Sequence, residues 1–162
     1  MKRSRKKYER PRNPWDSTRY ERERAILKNF GLRSKGEIWK AEAILRKYRG
    51  IARSLAAKKD KEKEKMLLEK LRKIGVLSED AALDDVLGLI LEKFLERRLQ
   101  TLVQKKGLVN SSKQARQLIV HGHVKVNGKK ISYPSYMVSK DEENKIEVDL
   151  AIQKSKVNVS EG

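Results

Sequence analysis

The clearest structural signals in the chain lie in residues 94–138, FLERRLQTLVQKKGLVNSSKQARQLIVHGHVKVNGKKISYPSYMV. The segment opens inside an apolar stripe at helical spacing, which predicts one helix that ends at Gly107. The stripe consists of Leu91, Phe94, Leu95, Leu99, Leu102 and Val103. A second helix is predicted over 112–121, because Ser111 and Gln114 have the spacing of a capping box. This part of the segment is therefore expected to form two helices.

A hairpin is predicted immediately after the second helix. Apolar and polar residues alternate over 124–126, and the dipeptide Asn127-Gly128 that follows is typical of a type I′ turn. Short apolar pairs at 137–138 and within 146–148 suggest two more strands, with a polar turn at 141–144 between them. We therefore expect a short antiparallel sheet beside the two helices.

Upstream of this segment the sequence predicts a series of helices. The predicted capping residues are Thr18, Ser34 and Ser78, a third helix is expected over 62–74, and Gly31 and Gly75 are expected to end helices. The apolar residues expected to face inward are Ile38, Ala41, Leu45, Tyr48, Ala52 and Leu55 in the second helix and Met66, Leu67, Leu71 and Ile74 in the third. The predicted fold class is α+β, with a mainly helical amino-terminal part followed by a small module of two helices, a β-hairpin and a short antiparallel sheet.

These patterns divide the chain into four parts. Residues 1–15 are polar and basic and contain Pro11 and Pro14, so we expect an extended arm. The arm is followed by a helical domain over 16–93, the small module over 94–150 and a tail over 151–162.

The charge of the chain is unevenly distributed. Its 162 residues include 40 Lys and Arg against 22 Asp and Glu, which gives a net charge of +18. Residues 97–130 contain nine basic side chains and no acidic one, and residues 1–60 contain 20 basic and seven acidic side chains. A solvated helix face has no reason to exclude acids, and like charges held together repel one another unless a partner neutralises them. The distribution therefore predicts two surfaces that bind a polyanion.

Several classes of protein are excluded by what the sequence lacks. Without cysteine there is no disulfide framework and no thiol nucleophile, and the longest apolar run, at 86–91, has six residues where a membrane span needs about 20. His121 and His123 do not have the spacing of a metal motif, and paired carboxylates such as Asp84/Asp85 fall at predicted caps. We therefore expect no enzyme activity, cofactor, metal or membrane partner.

The predicted helix at 112–121 is the best candidate for contact with a nucleic acid. Its amino terminus offers backbone N–H groups to a phosphate, and Lys113 and Arg116 project from its first turns. His121, His123, Tyr133 and Tyr136 are candidates for stacking on unpaired bases. Such stacking favours structured RNA over duplex DNA as the partner.

Residues 94–138 resemble the RNA-binding module first recognised in ribosomal protein S4, a module that is also appended to pseudouridine synthases and tyrosyl-tRNA synthetases. Residues 8–48, YERPRNPWDSTRYERERAILKNFGLRSKGEIWKAEAILRKYR, resemble the archaeal branch of the S4 family itself. The resemblance covers about residues 5–150. It implies a structural constituent of the small ribosomal subunit that binds small-subunit ribosomal RNA at a multi-helix junction, supports assembly and lies near the path by which mRNA enters. It also implies a location in the ribosome, in the cytoplasm, beside other small-subunit proteins.

Individual motifs carry the resemblance to specific residues. Arg98 matches the first residue of the family's R-L-D motif, 115–117 match its A-R-Q helix and 126–128 match its V-N-G hairpin. Gln100 replaces the aspartate of R-L-D, and Ser112 stands where an arginine is common. Many bacterial members also have zinc-binding cysteines near the amino terminus, which are absent here, so the arm is expected to become ordered on RNA.

Residue types and motifs together give the set of predicted RNA-binding residues. They are Arg3, Arg5, Lys6, Lys7, Arg10 and Arg12 in the arm, Arg46, Lys47, Arg49 and Arg53 in the helical domain, and Arg97, Arg98, Lys105, Lys106, Ser112, Lys113, Gln114, Arg116, Gln117, His121, His123, Lys125, Asn127, Lys129 and Lys130 in the module. The main alternative is a free-standing RNA-binding regulator or ribosome-associated factor that uses the same module. An RNA-modifying enzyme and a DNA-binding protein are weaker alternatives, since no catalytic domain, dimerisation element or recognition helix is evident.

Overall fold

The computed structural model describes residues 8–148, which form eight helices and one three-stranded sheet. The elements are α1 (Ser17–Phe30), α2 (Lys35–Lys58), α3 (Lys61–Ile74), α4 (Leu83–Leu87), α5 (Leu91–Glu96), α6 (Leu99–Lys105), α7 (Ser112–Val120), β1 (Val124–Val126), β2 (Lys129–Lys130), α8 (Lys140–Glu143) and β3 (Ile146–Val148). The predicted α+β class is confirmed. The described residues fall into two compact units: the first unit comprises 8–70 and 77–95, and the second unit comprises 71–76 and 96–148.

The first unit is built around α2, which packs against α1 and α4. Its buried residues are Ile38, Ala41, Leu45, Ala52 and Leu55, as the spacing predicts, while Tyr48 is half-buried and stacks on Phe94 with ring centroids 5.9 Å apart. Gly31 ends α1 in the left-handed conformation, with φ of 57°, as a C-cap glycine should. The apolar periodicity of α2 thus locates the core of this unit.

Three expectations for the first 95 residues are wrong in detail. The N-cap of α1 is Asp16 and not Thr18, because the Asp16 carboxylate accepts hydrogen bonds from both the Arg19 backbone N–H (3.3 Å) and the Thr18 hydroxyl (2.6 Å). Ser78 does not begin a helix: α4 begins at Leu83, five residues later. Met66 is 69% exposed, since the buried face of α3 is formed by Leu67, Leu68 and Leu71.

The apolar stripe expected to form one helix forms two, α5 and α6, which are separated by Arg97 and Arg98. Here the backbone bonds to a distant segment: the carbonyl of Arg97 accepts from the N–H of Val138 at 3.0 Å, and the N–H of Leu99 donates to the carbonyl of Tyr136 at 2.8 Å. Residues 137–138 therefore form no strand of the sheet, and Met137 makes only a single bridge, to Arg98.

The sheet of the second unit has the order β2-β1-β3 and is antiparallel throughout. Asn127 and Gly128 have φ of 53° and 74°, both left-handed as a type I′ turn requires, so the predicted hairpin is confirmed. The predicted polar turn at 141–144 is instead the short helix α8. The core under the sheet consists of Leu99, Leu102, Val103, Val109, Ala115, Leu118, Ile119, Val124, Val126, Val138, Ile146 and Val148.

Glu142 connects α8 to its surroundings and makes the stability of the second unit dependent on pH. Burial alone would raise the pKa of Glu142, but hydrogen bonds from the Ser139 backbone N–H (3.1 Å), the Ser139 hydroxyl (2.9 Å) and the Tyr136 hydroxyl (3.0 Å) outweigh it and hold the pKa below its ordinary value of 4.5. A lowered carboxyl pKa stabilises the folded state above pH 4.5, and this contribution disappears as the pH falls through the lower folded pKa.

We therefore expect Glu142→Gln to lower the melting temperature at neutral pH and to reduce its fall on acidification. Melting curves at intervals between about pH 3 and pH 7 measure this difference. Asp141→Asn is the control, because Asp141 is an exposed neighbour of Glu142. Its melting temperature should vary with pH in the same way as that of the unmodified chain. Equal acid sensitivity of the Glu142→Gln and unmodified chains would contradict the assignment.

Candidate nucleic-acid interface

The helix α7 presents one row of exposed polar side chains. Lys113, Gln117 and His121 are spaced four residues apart, so they lie on the same side of the helix, and all three are exposed. No acidic residue occurs in α7 or in the residues that flank it. The row therefore offers one permanent positive charge and two groups that hydrogen-bond to a polyanion.

The amino terminus of α7 is held by its own side chains. Ser111 Oγ accepts from the N–H of Gln114 at 3.2 Å, and Gln114 Oε1 accepts from the N–H of Asn110 at 3.1 Å. The predicted cap is thus present, although Gln114 bonds one residue earlier than in a standard capping box. Gln114 was predicted to bind RNA, but in this structure its amide oxygen serves the cap.

Arg116 and Gln100 form a polar link between α6 and α7. Gln100 is only 1% exposed; its Nε2 donates to the carbonyl of Ser112 at 3.0 Å, and its Oε1 accepts from Arg116 Nη1 at 3.2 Å. Arg116 is half-buried, so part of its guanidinium group faces the protein. A neutral amide at position 100 makes both contacts, which a carboxylate could not do because it has no N–H to donate.

The hairpin extends the basic surface of the second unit. Lys125 lies opposite Lys130 on one side and Glu147 on the other, so these three side chains share the outer face of the sheet. Lys129 and Lys130 are exposed, as is Asn127, whose Nδ2 donates to Glu142 Oε1 at 3.4 Å. This bond connects the turn to α8, while the side chains of Lys129 and Lys130 remain exposed.

Some of the predicted RNA-binding arginines make intramolecular contacts instead. Arg97 has a side chain only 12% exposed, and it bonds to the Glu143 carboxylate at 2.7 Å and to the Val138 carbonyl at 3.1 Å. Arg98 is 6% exposed. Lys105 and Lys106 are both exposed; Lys105 pairs with Glu96 at 3.2 Å, and Lys106 donates to the carbonyl of Glu143. Arg97 and Arg98 thus contribute to the packing of the second unit.

The first unit presents a second group of predicted residues. Arg46, Lys47 and Arg53 on α2 are exposed, as are Arg10 and Arg12 before α1. Arg49 is directed inward and donates from Nη2 to the Leu89 carbonyl at 2.5 Å, so it holds the segment after α4. The predicted residues Arg3, Arg5, Lys6 and Lys7 lie outside the described residues.

The candidate stacking residues differ in their surroundings. The rings of His121 and His123 are nearly parallel, with centroids 6.3 Å apart and an interplanar angle of 11°. Tyr133 is 71% exposed. Tyr136 instead packs against the core, and its hydroxyl donates to the Glu142 carboxylate. Burial is the main cause that raises the pKa of Tyr136, and the hydrogen bond to Glu142 is the second. Sequence reasoning overlooked Trp15, which is 93% exposed, because periodicity does not distinguish an exposed aromatic residue in an irregular segment.

Within residues 8–148 there is no group of three or more His, Asp or Glu side chains that could hold a metal ion. None of the helices described in that range is long and apolar enough to span a bilayer. The described surface is distinguished by its basic side chains.

The chain is similar to known proteins over most of its length. A family model described as the S4 domain matches residues 97–144. The chain is 52% identical to the small ribosomal subunit protein uS4 of Nanoarchaeum equitans over 153 residues. This alignment covers 91% of this chain and 84% of that protein. It is 49% identical to the uS4 protein of Korarchaeum cryptofilum over 91% of this chain and 90% of that protein, and 52% identical to that of Saccharolobus islandicus over 90% and 83%. The chain therefore belongs to the uS4 family, whose members are structural, non-enzymatic proteins of the small subunit of the cytoplasmic ribosome.

Proposed function

We propose that the chain binds small-subunit ribosomal RNA at a multi-helix junction, supports assembly of the subunit and lies near the channel through which mRNA enters. Its other partners are neighbouring small-subunit proteins and, at that channel, mRNA. The observation that carries the proposal is the exposure of lysines in residues 97–130, here called the acid-free block: Lys113, Lys129 and Lys130 are all exposed on the second unit. The family membership supports the same partner.

The physical basis of binding is the release of counterions from RNA phosphates. Exposed lysines retain their hydration and mobility until they meet a phosphate, whereas Arg97 is already neutralised by Glu143. We therefore assign phosphate binding in the second unit to the exposed residues of α7 and the hairpin. The buried arginines hold that surface in shape.

A second contact with RNA is proposed for the first unit. Arg46, Lys47 and Arg53 leave α2 on sides that its apolar core does not occupy, and Arg10 and Arg12 precede α1. Arg46 pairs with Glu9 at 3.3 Å, but both side chains are exposed, so this pair contributes little and can be exchanged for a phosphate, unlike the pair of Arg97 with Glu143. Basic residues on both units of one chain would engage two RNA segments at once. Such bivalent binding raises affinity without any new type of contact, which suits a protein that holds an RNA junction.

Salt dependence provides a quantitative test. For the unmodified chain and a fragment of small-subunit ribosomal RNA, the logarithm of the binding constant should fall linearly with the logarithm of salt concentration. Replacing Lys113, Lys129 and Lys130 together with glutamine should reduce the slope by about 2 to 3, since each phosphate contact contributes about 0.7 to 0.9. Fluorescence anisotropy at several salt concentrations measures both slopes.

The matched control replaces three exposed lysines outside the acid-free block, Lys61, Lys63 and Lys65, where acidic neighbours alternate with them. This variant loses the same net charge but should change the slope by less than about 1. Equal slopes for the two triple variants would contradict the assignment of phosphate contacts to α7 and the hairpin. A slope near zero for the unmodified chain would contradict RNA binding itself.

A further inference from the structure

Trp15 is the most exposed large apolar side chain in the described part of the chain. Its exposed fraction is 93%, and no ring contact with Trp15 is found there, unlike Tyr8, whose ring lies 5.8 Å from that of Trp39. Tryptophan is highly buried on average in folded proteins and buries about 150–250 Å² when it is covered. The exposure of Trp15 therefore needs an explanation that the first unit itself does not supply.

The backbone that carries Trp15 is firmly held. Arg19 Nη2 donates to the carbonyl of Asn13 at 2.6 Å, on the amino-terminal side of Trp15. On the other side, the Asp16 carboxylate accepts from the Arg19 N–H at 3.3 Å and from the Thr18 hydroxyl at 2.6 Å. A side chain on such a braced turn loses less conformational entropy on binding than one on a free arm. The turn thus holds the backbone on both sides of Trp15, and the indole ring projects into solvent.

The sequence that contains Trp15 is basic. Residues 1–24 contain ten basic and four acidic side chains. Three of the four carboxylates are already engaged: Asp16 caps α1, Glu9 pairs with Arg46 at 3.3 Å, and Glu23 pairs with Lys35 at 3.1 Å. An aromatic ring among cations is the combination that binds single-stranded nucleic acid, because the ring stacks on a base and the cations contact the adjoining phosphates.

We propose that Trp15 is a stacking platform for an unpaired base of small-subunit ribosomal RNA, with Arg10 and Arg12 on the phosphates beside it. The proposal rests on the function proposed above and adds a base-binding site that the phosphate contacts do not require. A protein partner fits less well, since a protein hot spot lies within an apolar patch. The nearest exposed aromatic residue in sequence, Tyr20, has its ring covered by Lys35, whose Nζ lies 3.9 Å from the centroid.

Affinity measurements with the full-length chain form the first test. Trp15→Ala should weaken binding to a small-subunit ribosomal RNA fragment about tenfold, and Trp15→Tyr should stay within about threefold, because stacking depends on an aromatic face. The slope against salt concentration should be the same for all three chains, since no phosphate contact is removed. Met66→Ala is the matched control: it truncates another exposed apolar side chain, on α3, and should leave the affinity unchanged.

Fluorescence supplies the second test, because the chain contains only two tryptophans, Trp15 and Trp39. Subtracting the emission of Trp15→Phe from that of the unmodified chain isolates Trp15 without disturbing Trp39. The isolated signal should be readily quenched by acrylamide in the free chain. When the RNA fragment is added, base stacking should quench the emission directly and acrylamide should lose access.

The outcomes separate this proposal from the proposed function. If the unmodified chain binds the RNA and Trp15→Ala binds equally well, the stacking platform is overturned and RNA binding stands. If the unmodified chain does not bind the RNA, both are overturned. The stacking platform is also overturned if acrylamide cannot reach Trp15 in the free chain. If Trp15 becomes shielded only after other ribosomal proteins are added, the platform is overturned in favour of a protein contact.

Discussion

Replacement of Glu23 by alanine is expected to destabilise the first unit by about 2–4 kcal/mol. Glu23 is 3% exposed; its carboxylate accepts from Trp39 Nε1 at 2.9 Å and pairs with Arg19 Nε at 3.4 Å and Lys35 Nζ at 3.1 Å. Alanine would leave the indole N–H without its acceptor and both cations without their counter-charge. Arg19 and Lys35 keep 28% and 33% of their side chains exposed, so water offsets part of the loss.

Chemical denaturation followed by tryptophan emission measures this change, because Trp39 contacts the carboxylate directly. Glu23→Gln should be intermediate, since its amide oxygen still accepts from the indole but carries no charge. Glu21→Ala removes an exposed glutamate from the same helix and should alter the free energy of unfolding by less than about 0.5 kcal/mol. If Glu23→Ala and Glu21→Ala prove equally stable, Glu23 does not hold α1 to α2.

Replacement of Arg97 by alanine is expected to destabilise the second unit by about 2–3 kcal/mol. The change removes the ion pair to Glu143 and the bond to the Val138 carbonyl. It also empties a closely packed position, since a Cβ atom added to Gly75 would lie 3.0 Å from Arg97 Cζ. Because Arg97 is already paired within the protein, binding to ribosomal RNA under conditions where the variant is folded should keep its dependence on salt.

Thermal denaturation by circular dichroism and anisotropy titrations on the same samples measure the two effects. Lys105→Ala is the control, because it also removes a cation from the acid-free block. The Lys105 side chain is 55% exposed and pairs with Glu96 at the surface. That change should cost less than about 1 kcal/mol of stability. An Arg97→Ala chain as stable as Lys105→Ala, but with a smaller salt slope, would make Arg97 a ligand of RNA instead.

Local sequence patterns predict the elements that are stabilised by local interactions. Asn127 and Gly128 form a type I′ turn because both tolerate positive φ, and that preference belongs to the two residues themselves. The apolar spacing of α2 predicts its buried face for the same reason. Ser111 caps α7 through a bond to a residue three positions away. The contacts that stabilise the turn and the cap lie within a few positions of them, and the buried face of α2 shows in the period of the helix itself although the helix packs against α1 and α4.

The break between α5 and α6 could not be predicted in this way. The apolar stripe has a continuous helical period across Arg97 and Arg98, and nothing in those residues forbids a helix. The helix ends because the backbone there bonds to residues 136–138, and such distant pairing leaves no trace in local periodicity. The same pairing turns Arg97 and Arg98 inward, which is why charge alone did not separate them from the exposed lysines.

The candidate site follows the same division. Charge counting locates the acid-free block, but it does not say which cations reach solvent. Lys113 is exposed and Arg116, three residues later on α7, is half-buried because Gln100 lies beneath it. Trp15 was missed for the opposite reason: its importance lies in the lack of a covering contact in the first unit, which a sequence does not display.

The bridge between Arg98 and Met137 has a consequence for synthesis of the chain. It joins residues 39 positions apart, and β1 also requires β3, which ends at Val148. Translation proceeds from the amino terminus, so residues 97–130 are synthesised before either of the segments that they pair with. The packing of α6 against α7 joins segments that are close in the chain, whereas the start of α6 and the sheet pair with residues 134–148 and have to wait until those residues have been made. The lysines of the hairpin therefore take their final positions only when nearly all of the described chain has been synthesised.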